Sequence, residues 1–293
     1  MNAYKAGVSL RTPRYKKTFF ASLRKAGFHV DRHVYKRSSQ SGKVCGYFFG
    51  EKSSSRPLIV FAHGYGNDAF YPYVQIFEKF LENNFNVFTF DLDGHGVNSS
   101  TFLDIKNFSS SVVDAVEFAK KEFKPEKIFG VGHSLGGAIF LNNASDLSQL
   151  GVLALVCISV PSTVEIGWRG IIFEGLSLFS TNVLIHLPKY GLVDFLPAFG
   201  RIRRKIMPIR ARDDYMPSLK RLFEDLIHAA PQSNTPIKFI YGDADRLASK
   251  RCYEGFSRVF PGAEKYMVKG ATHMTLPYNS EMIDESIAFL KKY

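Results

Sequence analysis

Cysteine and tryptophan are scarce in this 293-residue chain, and it has no long apolar run. The three cysteines, Cys45, Cys157 and Cys252, stand far apart. So odd and scattered a set argues against a disulfide framework and against a zinc site, and Cys157, inside Leu153-Ala-Leu-Val-Cys-Ile158, reads as a small core residue. No stretch reaches the roughly 18 uncharged apolar residues that a membrane-spanning helix needs. Met1 to Ala26 is basic but has no apolar centre of the kind a secretory signal carries, so the expected location is cytoplasmic. Nucleic-acid-binding motifs, internal repeats and low-complexity tracts are also missing, and no nucleic-acid partner is expected.

Acidic residues are nearly absent from positions 1 to 37. Ten Lys or Arg face Asp31 alone there, so this stretch carries +9 of the net charge of +11 and leaves +2 for the other 256 residues. Tyr15, Phe19, Leu23 and Ala26 recur near helical spacing among Arg14, Lys16, Lys17, Arg24 and Lys25, the pattern of a basic amphipathic helix. Such a helix either packs on the body of the protein or rests peripherally on an anionic membrane. Residues 1 to 27 therefore form a basic N-terminal extension, and the body behind it is nearly neutral.

What the sequence has in quantity is apolar residue, 45% of the chain, enough for a large core. Phe28 to Tyr35 and Val44 to Phe49 are rich in aromatic and β-branched residues and flank Ser38-Ser-Gln-Ser-Gly42, a pattern that predicts an antiparallel hairpin. From Leu58 onward short apolar runs alternate with helical stretches. Strands are expected at Leu58–Ala62, Asn86–Phe90, Lys127–Val131, Gly151–Ser159, Pro236–Tyr241 and Lys265–Lys269, and helices at Tyr73–Asn83, Phe108–Lys121 and Ser280–Lys292. Repeated βα units imply a mostly parallel, doubly wound α/β sheet covered on both faces. The alternation fails between Pro161 and Pro231. That stretch is apolar in its first half, basic in its second (Arg201, Arg203, Arg204, Lys205, Arg210, Arg212), and too long for a structureless loop. It is expected to be a helical cap, residues 161 to 231, inserted between core segments 28 to 160 and 232 to 293.

The chemistry centres on Gly132-His133-Ser134-Leu135-Gly136. A serine between glycines, at the junction of an expected strand and a helix, fits a sharp turn that strains its own backbone and leaves no room for Cβ atoms two residues to either side. A serine hydroxyl needs a base to take its proton, and His273, after the last strand, can supply one. The histidine needs a carboxylate to hold its tautomer. Gly242-Asp243-Ala244-Asp245 offers two candidates, of which Asp245 lies deeper in the loop while Asp243 is suited to capping the turn. Charge on an attacked carbonyl oxygen calls for backbone donors, expected at the N–H of Leu135 and the N–H of Tyr65 in His63-Gly64-Tyr65-Gly66. His63 and His95 are expected to shape the rim. The chemistry requires neither metal nor cofactor.

In these motifs the chain resembles the α/β-hydrolase family over roughly residues 28 to 293. His63-Gly64 matches the family's HG loop, Gly132 to Gly136 its nucleophile elbow, Gly242 to Asp245 its acid loop and Gly270 to His273 its histidine loop. Asp91-Leu-Asp-Gly-His-Gly-Val-Asn-Ser99 is similar to another family segment, with Asp93 where arginine is common. Within the family the chain is most similar to the monoacylglycerol-lipase or lysophospholipase-like branch. That resemblance implies a serine hydrolase acting on carboxylic esters, with a small acyl ester as its partner. A thioesterase or amidase would use the same residues, and a noncatalytic ligand-binding protein could keep the same fold. Sequence leaves the oligomeric state open.

Overall fold

The structure is a computed structural model that describes residues 14–37, 42–51, 55–65, 67–70, 73–93, 95–98, 109–162, 170, 172–174, 176–177, 220–221, 223–226 and 233–293. Residues 1–13, the hairpin tip at 38–41 and most of the expected cap, including Arg201 to Arg212, lie outside these. The described residues of the 161–231 segment at 170, 172–174, 176–177, 220–221 and 223–226 are helical.

Eight strands form one sheet in the order β1-β2-β4-β3-β5-β6-β7-β8. These are β1 (His29–Lys36), β2 (Lys43–Gly50), β3 (Leu58–Ala62), β4 (Asn86–Phe90), β5 (Ile128–His133), β6 (Val152–Ile158), β7 (Ile237–Gly242) and β8 (Glu264–Val268). β1 pairs with β2 and β2 with β4 in antiparallel fashion, and every other pair is parallel. Among the described residues the helices with defined bounds are α1 (Arg14–Lys25), α2 (Val74–Glu82), α3 (Ser111–Phe123), α4 (Leu135–Asn142), α5 (Ala144–Gln149), α6 (Lys250–Val259) and α7 (Ser280–Leu290).

The two-residue period of a strand splits the core in two. Along β3, Leu58, Val60 and Ala62 join the layer built with α3, α4, α5 and α6, whereas Ile59 and Phe61 join the layer built with α1, α2 and α7. Every residue of β3 and β4 is buried, as expected of central strands covered on both faces. Helix α1 turns two residues of its apolar stripe into the molecule. Phe19 and Leu23 are buried, and Phe19 meets Phe49 of β2 edge to face at 5.4 Å. These two rings are thus committed to the core rather than to a bilayer; Ala26 lies past the helix end and is exposed. Among the described residues no helix is long and apolar enough to cross a membrane.

Two helices were not expected from the sequence. α5 has only six residues. α6, Lys-Arg-Cys-Tyr-Glu-Gly-Phe-Ser-Arg-Val, has Gly255 inside it and only Cys252 and Phe256 fully buried, so its apolar signal is thin.

Candidate active site

The turn from β5 into α4 has the strain that its sequence demands. Ser134 sits at φ 53° and ψ −115°, a conformation a non-glycine residue adopts only where its surroundings enforce it. Two contacts do so. The Ser134 N–H donates to the Ile158 carbonyl at the end of β6 (2.7 Å), and its own carbonyl accepts from Ala138 in the first turn of α4 (3.1 Å). The glycines are obligatory for space. A Cβ on Gly136 would lie 2.1 Å from the Ala62 carbonyl oxygen, and one on Gly132 would lie 2.5 Å from the Gly136 carbonyl carbon. Leu135 opens α4, so its N–H is among the helix's four donors without an intrahelical acceptor.

The acid loop follows β7 and the histidine loop follows β8, so both reach the same sheet edge as Ser134. They are tied by backbone bonds from Asp243 N–H to Val268 O (3.0 Å) and from Ala244 N–H to Ala271 O (3.1 Å). Asp245 and Asp243 take different tasks. Asp245 Oδ2 lies 2.9 Å from His273 Nδ1, and its Oδ1 accepts the N–H groups of Leu247 (2.8 Å) and Ala248 (2.6 Å). Asp243 instead caps the histidine loop, accepting the Gly270 N–H at 2.6 Å in an exposed position. Burial works against the charge of Asp245, but attraction to His273, the hydrogen bond to it and the Ala248 amide outweigh that and hold the carboxyl below its ordinary value. Burial likewise opposes a charged imidazole at His273, yet the Asp245 charge, the Asp245 hydrogen bond and the Glu174 charge raise its pKa above the usual histidine value. With Nδ1 committed to Asp245, Nε2 is the nitrogen left to accept a hydroxyl proton.

A second buried network backs the first. The Tyr73 hydroxyl accepts from the Gly64 N–H (2.9 Å) and from Asn67 Nδ2 (2.8 Å) and lies 2.8 Å from His133 Nδ1. With its oxygen accepting twice, its proton goes to Nδ1, so His133 carries its own proton on Nε2 and donates to the His273 carbonyl (3.3 Å). Burial above all, then the charge of His273, pushes the His133 pKa down to about 3. His133 is a neutral strut whose ring packs 4.9 Å from that of His273. Tyr73 thus joins the loop after β3 to the histidine loop. In sequence, Tyr73 is only the first residue of an expected helix and His133 only a neighbour of the serine.

The remaining predicted residues sit around this network. Tyr65 follows Gly64 in the loop after β3, with its side chain 44% exposed. His63 and His95, expected at the rim, are buried. His63 Nδ1 donates to Gly64 O (2.8 Å) and its Nε2 accepts the Leu92 N–H (3.0 Å), which locks the loop after β3 to the loop after β4. His95 packs its ring against those of His63 and Tyr65. In the same β4 loop Asp93, where arginine is common in the resembling family, forms a buried ion pair with Arg37 from the end of β1. Sequence reading also missed Glu174, whose buried carboxylate reaches the acid and histidine loops. Among the described residues no group of three or more His, Cys, Asp or Glu is placed to hold a metal ion.

A family model described as serine aminopeptidase, S33, matches residues 53–170. A Mycoplasma genitalium protein named "Putative esterase/lipase 2" is 32% identical over 82 residues, which span 28% of this chain and 30% of that protein. Over 92% of this chain the fold matches an esterase of Pyrococcus furiosus (TM-score 0.60, 17% identity, 95% of that chain). It also matches 2-hydroxy-6-oxo-6-phenylhexa-2,4-dienoate hydrolase from Rhodococcus sp. strain RHA1 (TM-score 0.67, 17% identity, 90% of this chain and 100% of that chain). At such identities the structural likeness speaks to fold, and it agrees with the strand order and with the family match across the elbow. The chain has the α/β-hydrolase fold.

Proposed function

We propose that the protein is a serine hydrolase that cleaves carboxylic esters through an acyl-enzyme. The observation that carries this reading is the buried Asp245–His273 pair, 2.9 Å apart, on the sheet edge where Ser134 is held at a strained positive φ. Ser134 Oγ attacks the ester carbonyl carbon while His273 Nε2 takes its proton. The oxyanion that forms is held by the N–H groups of Leu135 and Tyr65, each worth about 3 kcal/mol to the transition state. The bond to the leaving oxygen then breaks and His273 returns the proton to it. Water, deprotonated by the same imidazole, releases the acid and frees Ser134.

The segment after β6 supports an acyl substrate. Ile172, Phe173 and Leu176 are 53%, 40% and 65% exposed, and each methylene buried against such residues contributes about 0.8 kcal/mol. Monoacylglycerols and lysophospholipids are therefore the natural lipids to offer.

The test is a fluorophosphonate probe followed by a substrate panel. Wild type should be labelled and Ser134→Ala should not. Among p-nitrophenyl esters, monoacylglycerols, lysophospholipids and acyl thioesters, the oxygen esters should turn over fastest. A wild type that neither labels nor hydrolyses any of them would refute the reading.

A further inference from the structure

Glu174 is the residue of the 161–231 segment with the most specific environment among those described. Its neighbours Ile172 and Phe173 are exposed, yet Glu174 itself is 2% exposed. Leaving a carboxylate in such a place is costly unless donors surround it, and here three backbone amides do. Oε1 accepts the Arg246 N–H (3.0 Å) and the His273 N–H (3.2 Å), and Oε2 accepts the Met274 N–H (3.1 Å). The first amide belongs to the residue after Asp245, and the other two to His273 and the residue after it. A single side chain thus spans both loops that carry the imidazole and its partner. From outside, the Arg246 guanidinium lies over the Phe173 ring at 5.2 Å and adds a second tie between the acid loop and the same helical stretch.

We propose that Glu174 is a positioning residue of the active site, holding the acid and histidine loops in register and placing a second fixed negative charge beside the imidazole that must become cationic during the reaction. It touches no reacting atom. Its effect runs through His273, so the inference rests on the proposed role of His273 as base. Among the described residues, the titratable and charged groups that face His273 are Asp245 on the acid loop, Glu174 on the segment after β6, and His133 at the end of β5, which is neutral. Glu174 is therefore the second anion whose removal should alter how tightly the imidazole holds its proton.

The experiment compares wild type with Glu174→Gln in the full chain, using the pH profile of kcat/KM on a p-nitrophenyl ester and fluorophosphonate labelling at the same pH values. Gln keeps the shape but removes the charge and turns an NH2 toward one of the amides. The expected result is a fall in kcat of about tenfold with KM changed less than threefold, and an acid limb moved down by about one pH unit, the size typical of a lost neighbouring charge. If kcat or melting temperature falls while the acid limb stays put, Glu174 only staples the fold, and the proposal is overturned. Should Glu174→Gln yield no folded protein, Glu174→Asp decides. It keeps the charge but cannot reach all three amides, so it should lose rate with the limb unmoved, and wild-type kcat in that variant would overturn the proposal. Failure of the underlying reading looks different, because wild type itself would then go unlabelled.

Discussion

Tyr73→Phe is the most informative single change because it removes one oxygen and almost no volume. The hydroxyl serves three buried groups, the Gly64 N–H, Asn67 Nδ2 and His133 Nδ1, at 2.9, 2.8 and 2.8 Å. A buried polar group left without its partner costs about 1–3 kcal/mol. The three losses are not additive, since the Asn67 amide can turn and the loop can relax, so the expected destabilisation is about 3 kcal/mol. For a chain of this size that lowers Tm by roughly 5 °C. Activity should fall as well. Gly64 immediately precedes Tyr65, and the freed Gly64 amide no longer anchors the peptide adjacent to the donor proposed for the oxyanion. Complete loss of one such donor costs about 100-fold or more in kcat, so partial misplacement should cost about tenfold, with KM little changed. Differential scanning calorimetry and ester hydrolysis measure both quantities. A double-mutant cycle with His133→Gln should give a coupling energy of at least about 1 kcal/mol, because the two side chains share one hydrogen bond. A Tyr73→Phe protein that melts within a degree of wild type and keeps kcat within twofold would refute the argument that this hydroxyl organises the site.

Two further outcomes follow from the same geometry. Gly136→Ala would force a Cβ to within 2.1 Å of the Ala62 carbonyl oxygen, a backbone atom of a central strand, so it should destabilise by about 3 kcal/mol or more. Gly262→Ala, where a Cβ meets nothing within 4 Å, should stay within about 0.5 kcal/mol of wild type, and similar melting temperatures for the two would contradict the close approach. Acid should destabilise the fold through His133. Its folded pKa is depressed to about 3 against an unfolded value of about 6.5, so its contribution is complete above the unfolded value and is lost as pH falls, at about 1.4 kcal/mol per unit. His273 shifts the other way, and its contribution is already complete below the unfolded value, so it does not offset this slope. Urea unfolding at pH 6.5 and 5 should show wild type losing about 2 kcal/mol more than His133→Gln, and equal losses in the two proteins would sink the assignment.

How much of this was legible depended on whether the information lay in side chains near one another in sequence. β3 and β4 were readable to the residue because central strands of a covered sheet are short continuous apolar runs. The elbow was readable because its strain writes itself into glycine positions. Asp245 and His273 could be nominated because each follows a strand whose end faces the same edge, and the structure pairs them at 2.9 Å. Tyr73 and His133 were not readable as a pair, since they lie 60 positions apart and each has an ordinary local explanation. The helix Lys250–Val259 was missed because a glycine and few buried apolar residues dilute its period. Glu174 was hidden for a deeper reason. Its three partners are backbone amides 72, 99 and 100 positions away, and a backbone amide carries no residue identity to recognise.

The β4 loop shows how such long-range pairing can reverse the meaning of a local departure. Aspartate at position 93, where the resembling family commonly has arginine, reads in sequence as a weakened motif. In the fold, Arg37 arrives from the end of β1 and pairs with it, and both side chains are almost completely buried, at 3% and 4% exposure. A cation and an anion still occupy the loop, with the cation now supplied by a different strand. The same loop holds Asp91, which accepts the Ala69 N–H (2.8 Å) and the Val97 N–H (2.9 Å), and Leu92, which donates to His63 (3.0 Å). Removing either partner of the Arg37–Asp93 pair would leave a buried charge uncompensated, which is far costlier than never having had the pair. Arg37 is therefore tied, through Asp93 and its neighbours, to the loop that positions Gly64 and Tyr65, although it lies well outside every motif by which the site was found.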